Sequence, residues 1–197
     1  MEQIRTFVAI ELDDALKAGL RQVQEQLKSA NVSRIGRWVS PDSVHLTFKF
    51  LGNVPIGRVE EIAQAIKRAC ASFAPFSISL AAAGCFPNAR RPRVIWVGIG
   101  GDLEPLKRLQ RSVDSELSNI SFAVEKRRFH PHLTLARIRD RARPREREAM
   151  GELISTAKLD ASVSMTVREI SLMRSDLQPT GAVYTCLAAI ALGNEHP

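Results

Sequence analysis

Cysteine is scarce in this chain. Cys70, Cys85 and Cys186 are the only three, and no two lie close together. An odd, scattered set excludes a disulfide framework and a Cys-based zinc site, leaving idle thiols in a reducing compartment as the expectation. Long hydrophobic runs are missing too: none approaches the ~20 residues of a membrane span. The start Met1-Glu2-Gln3-Ile4-Arg5 lacks the basic-then-apolar pattern of a secretory signal, so a cytoplasmic location with no membrane partner is expected. Histidine is limited to His45, His130, His132 and His196. His130 and His132 are close enough to suggest a zinc pair, but His45 and His196 are the only other histidines, so no metal and no cofactor is expected. No segment is of low complexity.

The chain has 197 residues, enough for one domain or for two small lobes sharing a core. Apolar residues make up 45% and charged residues 25%, an ordinary soluble composition. The formal net charge of +7 points to an anionic partner without naming it. Of the 28 Lys and Arg residues, nine fall between 126 and 147: Lys126, Arg127, Arg128, Arg137, Arg139, Arg141, Arg143, Arg145 and Arg147. A phosphate-rich ligand would be drawn there, although such a run also suits a solvated loop and helix start.

Strands and helices interleave. Arg5 to Leu12 reads as a buried strand, and Asp13 caps a helix whose Leu16, Leu20, Val23 and Leu27 recur at helical spacing. Gly36 to Val39 is extended, Pro41-Asp42 is a turn, and Val44 to Leu51 is a strand ended by Gly52-Asn53 and Pro55. A helix from Arg58 to Phe73 is stopped by Pro75. Phe76 to Ala83 and Val94 to Gly98 are strands. Gly98-Ile99-Gly100-Gly101 resembles a phosphate loop only loosely, since no Lys-Ser or Lys-Thr follows. A strand-to-helix turn capped by Asp102 fits it better. The next helix carries Leu103, Leu106, Leu109, Val113 and Leu117. Phe122 to Val124 is a short strand, Leu133 to Ala136 another, and a helix lies near Arg145 to Thr156. Ser164 to Arg174 and Val183 to Leu192 form a hairpin through Pro179-Thr180-Gly181. The closing hairpin and short turns give an α+β fold with antiparallel pairing. A weak repeat of strand, helix and marked strand suggests two similar lobes.

The mark is a tetrapeptide, His45-Leu46-Thr47-Phe48, that returns 87 residues later as His132-Leu133-Thr134-Leu135. In a strand, residues i and i+2 share a face. His45 with Thr47, and His132 with Thr134, therefore present imidazole and hydroxyl on one side while apolar residues enter the core. Two such strands side by side would offer two imidazoles and two hydroxyls to one cleft. That set suits hydrolysis of a strained cyclic phosphodiester. One imidazole takes a proton from water, the other protonates the leaving ribose oxygen, and each hydroxyl donates to a phosphoryl oxygen. An arginine would add a bidentate clamp.

At these residues the chain resembles the two-histidine phosphoesterase superfamily and, within it, the bacterial and archaeal RNA 2′,3′-cyclic phosphodiesterases, also called 2′-5′ RNA ligases. Arg5-Thr6-Phe7-Val8-Ala9-Ile10-Glu11-Leu12 resembles the family's first strand. Trp38-Val39 with His45-Leu46-Thr47-Phe48-Lys49-Phe50-Leu51-Gly52 resembles its first signature. Phe129-His130-Pro131-His132-Leu133-Thr134-Leu135-Ala136-Arg137 resembles its second, and Gly181-Ala182-Val183-Tyr184 its final hairpin. The resemblance implies a single bilobal LigT-like domain over 1–197, with two pseudo-symmetric lobes of antiparallel sheet, outer helices and a central cleft. It implies that His45 is the proton donor and His132 the proton acceptor. It implies hydrolysis of an RNA 2′,3′-cyclic phosphate to a 2′-phosphomonoester, with reversible 2′-5′ ligation as a secondary property. Arg137 matches the family's arginine and is the candidate phosphate clamp. His130 stands where the resemblance would more often place arginine, so His130 or Arg128 would supply that contact.

Trp38 and Phe129 are candidates for stacking on a base, and equally for packing. Lys49 falls on the His45 face of a regular strand, where it would meet substrate or solvent. The expected partner is RNA with a cyclic phosphate end, or a cyclic nucleotide, acted on by a monomer. Two alternatives share the residues: a non-catalytic module binding RNA ends, and a two-histidine phosphodiesterase acting on a small cyclic nucleotide.

Overall fold

Alternation of apolar residues from Ile4 to Ile10 builds a central strand, β1 (Gln3–Glu11), whose even-numbered side chains are buried on one face. The computed structural model describes residues 2–157, 163–178 and 181–193. Asp13 starts α1 (Asp14–Lys28) as expected, its Oδ1 accepting from the Leu16 amide at 2.8 Å. Then come β2 (Gly36–Trp38), a 3₁₀ turn at 41–43, and β3 (His45–Pro55). The rest of the order is α2 (Val59–Cys70), β4 (Phe76–Phe86), β5 (Val94–Gly101), α3 (Leu103–Ser118), β6 (His132–Ile138), α4 (Pro144–Thr156), β7 (Ser164–Val167), β8 (Glu169–Gln178) and β9 (Gly181–Ala191).

The fold is α+β. Two antiparallel sheets carry the chain, one ordered β3-β1-β8-β9 and the other β2-β6-β5-β4-β7. The repeat read from the sequence is visible: β1, α1 and β3 correspond to β5, α3 and β6, and in each case the marked strand pairs antiparallel with the strand before the helix. The helices tie the two sheets together. α1 leaves the first sheet and packs on β4 and β7 of the second, while α3 touches β3 of the first and β4 of the second. Leu16, Leu20, Leu106, Leu109, Val113 and Leu117 are fully buried, so the helical stripes pack as the periodicity predicts. Each such side chain contributes roughly 1.5–3 kcal/mol on burial.

Four expectations need correction. The strand expected to end at Leu51 runs on to Pro55, with Gly52 at φ 75° inside it. Residues 122–124 form no strand. The segment expected as one strand from Ser164 to Arg174 is two, β7 in the second sheet and β8 in the first, and the chain changes sheets at Arg168. The apolar alternation changes phase there, from Met165 and Val167 in β7 to Ile170 and Leu172 in β8. Asp102 does precede α3, but its carboxylate accepts from the Ser77 amide on β4 and not from the helix. The hairpin of β8 and β9 is as expected; Pro179 and Thr180 in its turn, and His196, lie outside the described residues.

Candidate active site

Both marked strands depart from regular pairing at the same place. On β3, Thr47 lies opposite Ala9 and Lys49 opposite Val8, so Phe48 is an extra residue. On β6, Thr134 lies opposite Trp96 and Ala136 opposite Ile95, so Leu135 is the extra residue. Such a bulge reverses the alternation beyond it. His45 and Thr47 face out, Phe48 and Lys49 both turn inward, and Phe50 faces out again. Likewise His132 and Thr134 face out, Leu135 and Ala136 are buried, and Arg137 emerges on the side of Thr134. Without the bulge Arg137 would point into the core.

β3 and β6 approach one another, and a cavity of about 520 Å³ lies against them. His45, Thr47 and Phe50 line it from the first sheet, with Arg5, Phe7 and Tyr184; Thr134, Arg137, Arg37 and Trp38 line it from the second. Three arginines contribute to this lining and no carboxylate does. His132 lies on the same face of β6 as Thr134, two residues along and outside the cavity's lining.

The His45 ring is stacked on Phe7, centroids 4.8 Å apart, and meets the edge of Tyr184 at 4.5 Å. Burial against these rings pulls its pKa from 6.5 down to about 4, opposed in part by the negative charge of Glu11. Glu11 is its direct partner across β1 and β3. The Glu11 carboxylate accepts a hydrogen bond from Ser171 Oγ at 2.7 Å.

His132 sits in an aromatic surround, edge-on to Phe86 at 5.1 Å, with Trp96 at 6.3 Å and His130 at 6.1 Å. A Cβ on Gly84 would overlap the Trp96 indole, so glycine lets that ring lie flat on β4. His132 Nδ1 is 2.7 Å from the His130 carbonyl oxygen. A carbonyl only accepts, so Nδ1 carries the proton and Nε2 keeps its lone pair. Burial lowers the His132 pKa; the bond to the His130 carbonyl raises it, and the charges of His130 and Arg137 lower it further.

The remaining candidates separate clearly. Trp38 reaches the cavity, its indole nitrogen donating to the Ser33 carbonyl at 3.1 Å. Lys49 does not face the cleft as a regular strand would require. The bulge turns it inward, where it is 7% exposed, pairs with Asp114 and donates to the Ala123 carbonyl at 2.6 Å. Phe129 packs edge-on against the core-facing ring of Phe48 at 5.8 Å, behind β3, so it is a packing residue. Arg128 is exposed and lies outside the cavity lining. His130 serves His132 through its backbone carbonyl while its ring meets Phe86 and Trp96. Of the nine basic residues in 126–147, only Arg137 lines the cavity. Arg147 instead uses its donors on the carbonyls of Pro92, Arg139, Asp140 and Ala142.

Sequence reasoning missed Gln24. Buried on α1, its amide donates to the carbonyls of Val39 at 2.7 Å and Leu135 at 3.3 Å, fastening the second bulge. A polar residue on the buried stripe of α1 was the available signal. Phe50, Tyr184, Arg5 and Arg37 were also missed as cavity residues. Among the described residues no group of three His, Cys, Asp or Glu side chains is arranged to hold a metal ion. Among them, too, no helix is long and apolar enough to cross a membrane.

The family model described as the 2′-5′ RNA ligase superfamily matches residues 12–179. The chain is 37% identical over 190 residues to an RNA 2′,3′-cyclic phosphodiesterase of Methanothermobacter thermautotrophicus, a match spanning 96% of this chain and 100% of the relative. It is 31% identical over 181 residues to one of Archaeoglobus fulgidus, spanning 92% and 96%. Among solved structures it resembles apo LigT of E. coli with a TM-score of 0.77 at 25% identity, covering 98% of this chain and 100% of the other.

Proposed function

Because the chain belongs to the 2′-5′ RNA ligase superfamily, we propose that His45 and His132 carry its RNA 2′,3′-cyclic phosphodiesterase activity as general acid and general base at one phosphorus. The observation that carries this reading is the duplicated, identically bulged strand, which brings His45 and Thr47 of one sheet and Thr134 and Arg137 of the other to one cleft.

The chemistry balances without a cofactor. His132 Nε2, free because Nδ1 is engaged, takes a proton from water as the water oxygen forms a bond to phosphorus. The bond from phosphorus to the ribose 3′ oxygen breaks, and His45 gives that oxygen a proton. The product is a 2′-phosphomonoester with a free 3′ hydroxyl; the same attack by a 5′ hydroxyl in place of water gives the 2′-5′ linkage, and its reversal breaks that linkage. Thr47 and Thr134 donate to the non-bridging oxygens, and Arg137 clamps them.

Burial lowers the His45 pKa to about 4, which leaves the imidazole neutral at pH 7. A phosphate anion beside it favours the imidazolium, so substrate itself loads the acid. The basic limb of kcat should then lie at higher pH than the basic limb of kcat/KM.

The test is product analysis on an oligoribonucleotide with a 2′,3′-cyclic end, in excess chelator. Wild type should leave phosphate on the 2′ oxygen. His45→Ala and His132→Ala should each lose at least about a hundredfold in kcat with unchanged melting temperature. Full turnover by either variant would remove that histidine from the chemistry.

A further inference from the structure

Resting on the phosphodiesterase reading, we propose that Arg37 and Arg5 are two further phosphate contacts in the cleft, which hold the backbone of an RNA chain and make oligonucleotides, not mononucleotides, the preferred substrates. Arg37 lies on β2 directly opposite Arg137 on β6, and both line the cavity. Like charges directly opposed across a ladder destabilise the free protein. Neither guanidinium has a hydrogen-bonded or ion-pair partner among the described residues, so both are available to an anion in the cavity. Two unpartnered cations held face to face, in a lining without a carboxylate, are arranged for an anion.

Arg137 is taken by the reacting phosphate, since it emerges just beyond Thr134. Arg37 stands one strand further out, about 4.8 Å away. Arg5 is more distant still. It lies opposite Asn53 on β1, while Ala9 is opposite Thr47 and Glu11 is opposite His45. Four residues of strand separate Arg5 from the level of Thr47, roughly 13 Å at ~3.3 Å per residue. From there its side chain falls short of a phosphate held by Thr47, yet it lines the same cavity. The cleft therefore offers cationic contacts beyond those one phosphate can use. A polynucleotide end supplies the further anions through its adjoining phosphodiesters; a cyclic mononucleotide has none to supply.

The experiment compares a cyclic-ended oligoribonucleotide of about eight residues with a 2′,3′-cyclic mononucleotide, for wild type, Arg37→Gln and Arg5→Gln. Wild type should favour the oligonucleotide. Each variant should lose about tenfold in kcat/KM on the oligonucleotide, mostly through KM. On the mononucleotide each should stay within about twofold. The salt dependence of log kcat/KM on the oligonucleotide should flatten by about 0.7 per arginine removed, the single-strand value. Equal losses on both substrates, or no loss on the oligonucleotide, would overturn the proposal while leaving the phosphodiesterase intact. If wild type hydrolyses neither substrate, that reading fails on its own. The arginines are then judged by fluorescence anisotropy with a labelled, 2′-phosphorylated oligonucleotide, where unchanged affinity in both variants overturns them.

Discussion

Replacing Lys49 by methionine tests whether this lysine is part of the fold or part of the substrate site. Its side chain is 6% exposed and that of Asp114 is 12% exposed, so the ion pair between them is desolvated. Asp114 also accepts from the Glu125 amide at 3.2 Å, which ties the segment after α3 to the back of β3. Removing the cation strands a buried carboxylate, a loss that costs about 3–5 kcal/mol. An exposed pair such as Arg111 with Glu104, at 66% and 71% exposure, is worth at most about 1 kcal/mol. For a chain of this size each kcal/mol lowers the melting temperature by roughly 2–4 °C. Lys49→Met should therefore melt roughly 6–20 °C below wild type. The double variant Lys49→Met with Asp114→Leu should recover part of that loss, since two apolar groups replace a buried ion pair at little cost while the Glu125 amide and the Ala123 carbonyl still lack their partners. Urea titrations of the four proteins complete the cycle. At a temperature where Lys49→Met stays folded, its KM for a cyclic-ended oligonucleotide should remain near that of wild type. A variant within about 1 kcal/mol of wild-type stability whose KM rises tenfold would show that Lys49 meets RNA, and that the inward turn of the strand is wrong.

His45 makes stability depend on pH. Its folded pKa of about 4 lies below the unfolded value near 6.5, so the unfolded chain binds the extra proton between these values. Stability is full above pH 6.5 and falls as pH drops toward 4; between pH 7.5 and 4.5 wild type should lose about 2–3 kcal/mol more than His45→Gln by urea unfolding. Equal acid sensitivity in the two proteins would contradict the burial argument. Gln24→Leu should cost about 1–3 kcal/mol by leaving the Val39 carbonyl short of a donor. It should also lower kcat/KM by loosening the bulge that projects Arg137, an effect that Gln24→Glu, which lacks the donor, should share. Gly84→Ala should displace Trp96 and destabilise the chain by about 1–3 kcal/mol. Because Trp96 borders His132, kcat should fall as well, and a stopped-assay titration at saturating substrate checks it.

Much of the site was legible because its signal is a repeated local pattern. His45 with Thr47, and His132 with Thr134, needed only the two-residue period of a strand, and the histidines are rare enough to stand out. The helices were legible from Leu16, Leu20, Leu106, Leu109, Val113 and Leu117, whose spacing exceeds what a strand could use. The places where reading failed are those where tertiary pairing decides. The change of sheet at Arg168 shows in the sequence only as a one-residue shift of the apolar phase, which a bulge within one strand would give as well. Phe129 looks like a free aromatic beside the second motif, yet it packs against Phe48 from the other repeat, 81 positions away in the chain (129 − 48).

The two bulges carry the deeper lesson about how one strand pattern serves two purposes. After His-Leu-Thr, regular alternation would send Lys49 and Ala136 to the cleft and Phe50 and Arg137 to the core. One extra residue on each strand exchanges those fates. Position by position, Lys49 corresponds to Ala136 and Phe50 to Arg137. Inside the protein, the first repeat therefore needs a counter-charge for its lysine, which Asp114 provides, while the second needs only a methyl group and is fastened by Gln24. In the cleft, the first repeat presents an aromatic ring that is 66% exposed and the second presents a guanidinium. The bulge shared by the two strands thus holds matching imidazoles and hydroxyls, while the residue beyond it differs in kind: a flat apolar face suited to a base or ribose, and a cation suited to phosphate. A cyclic nucleotide end has both features and is itself asymmetric about its phosphorus. The acid and base roles proposed for His45 and His132 call for that asymmetry, which two equal halves could not supply.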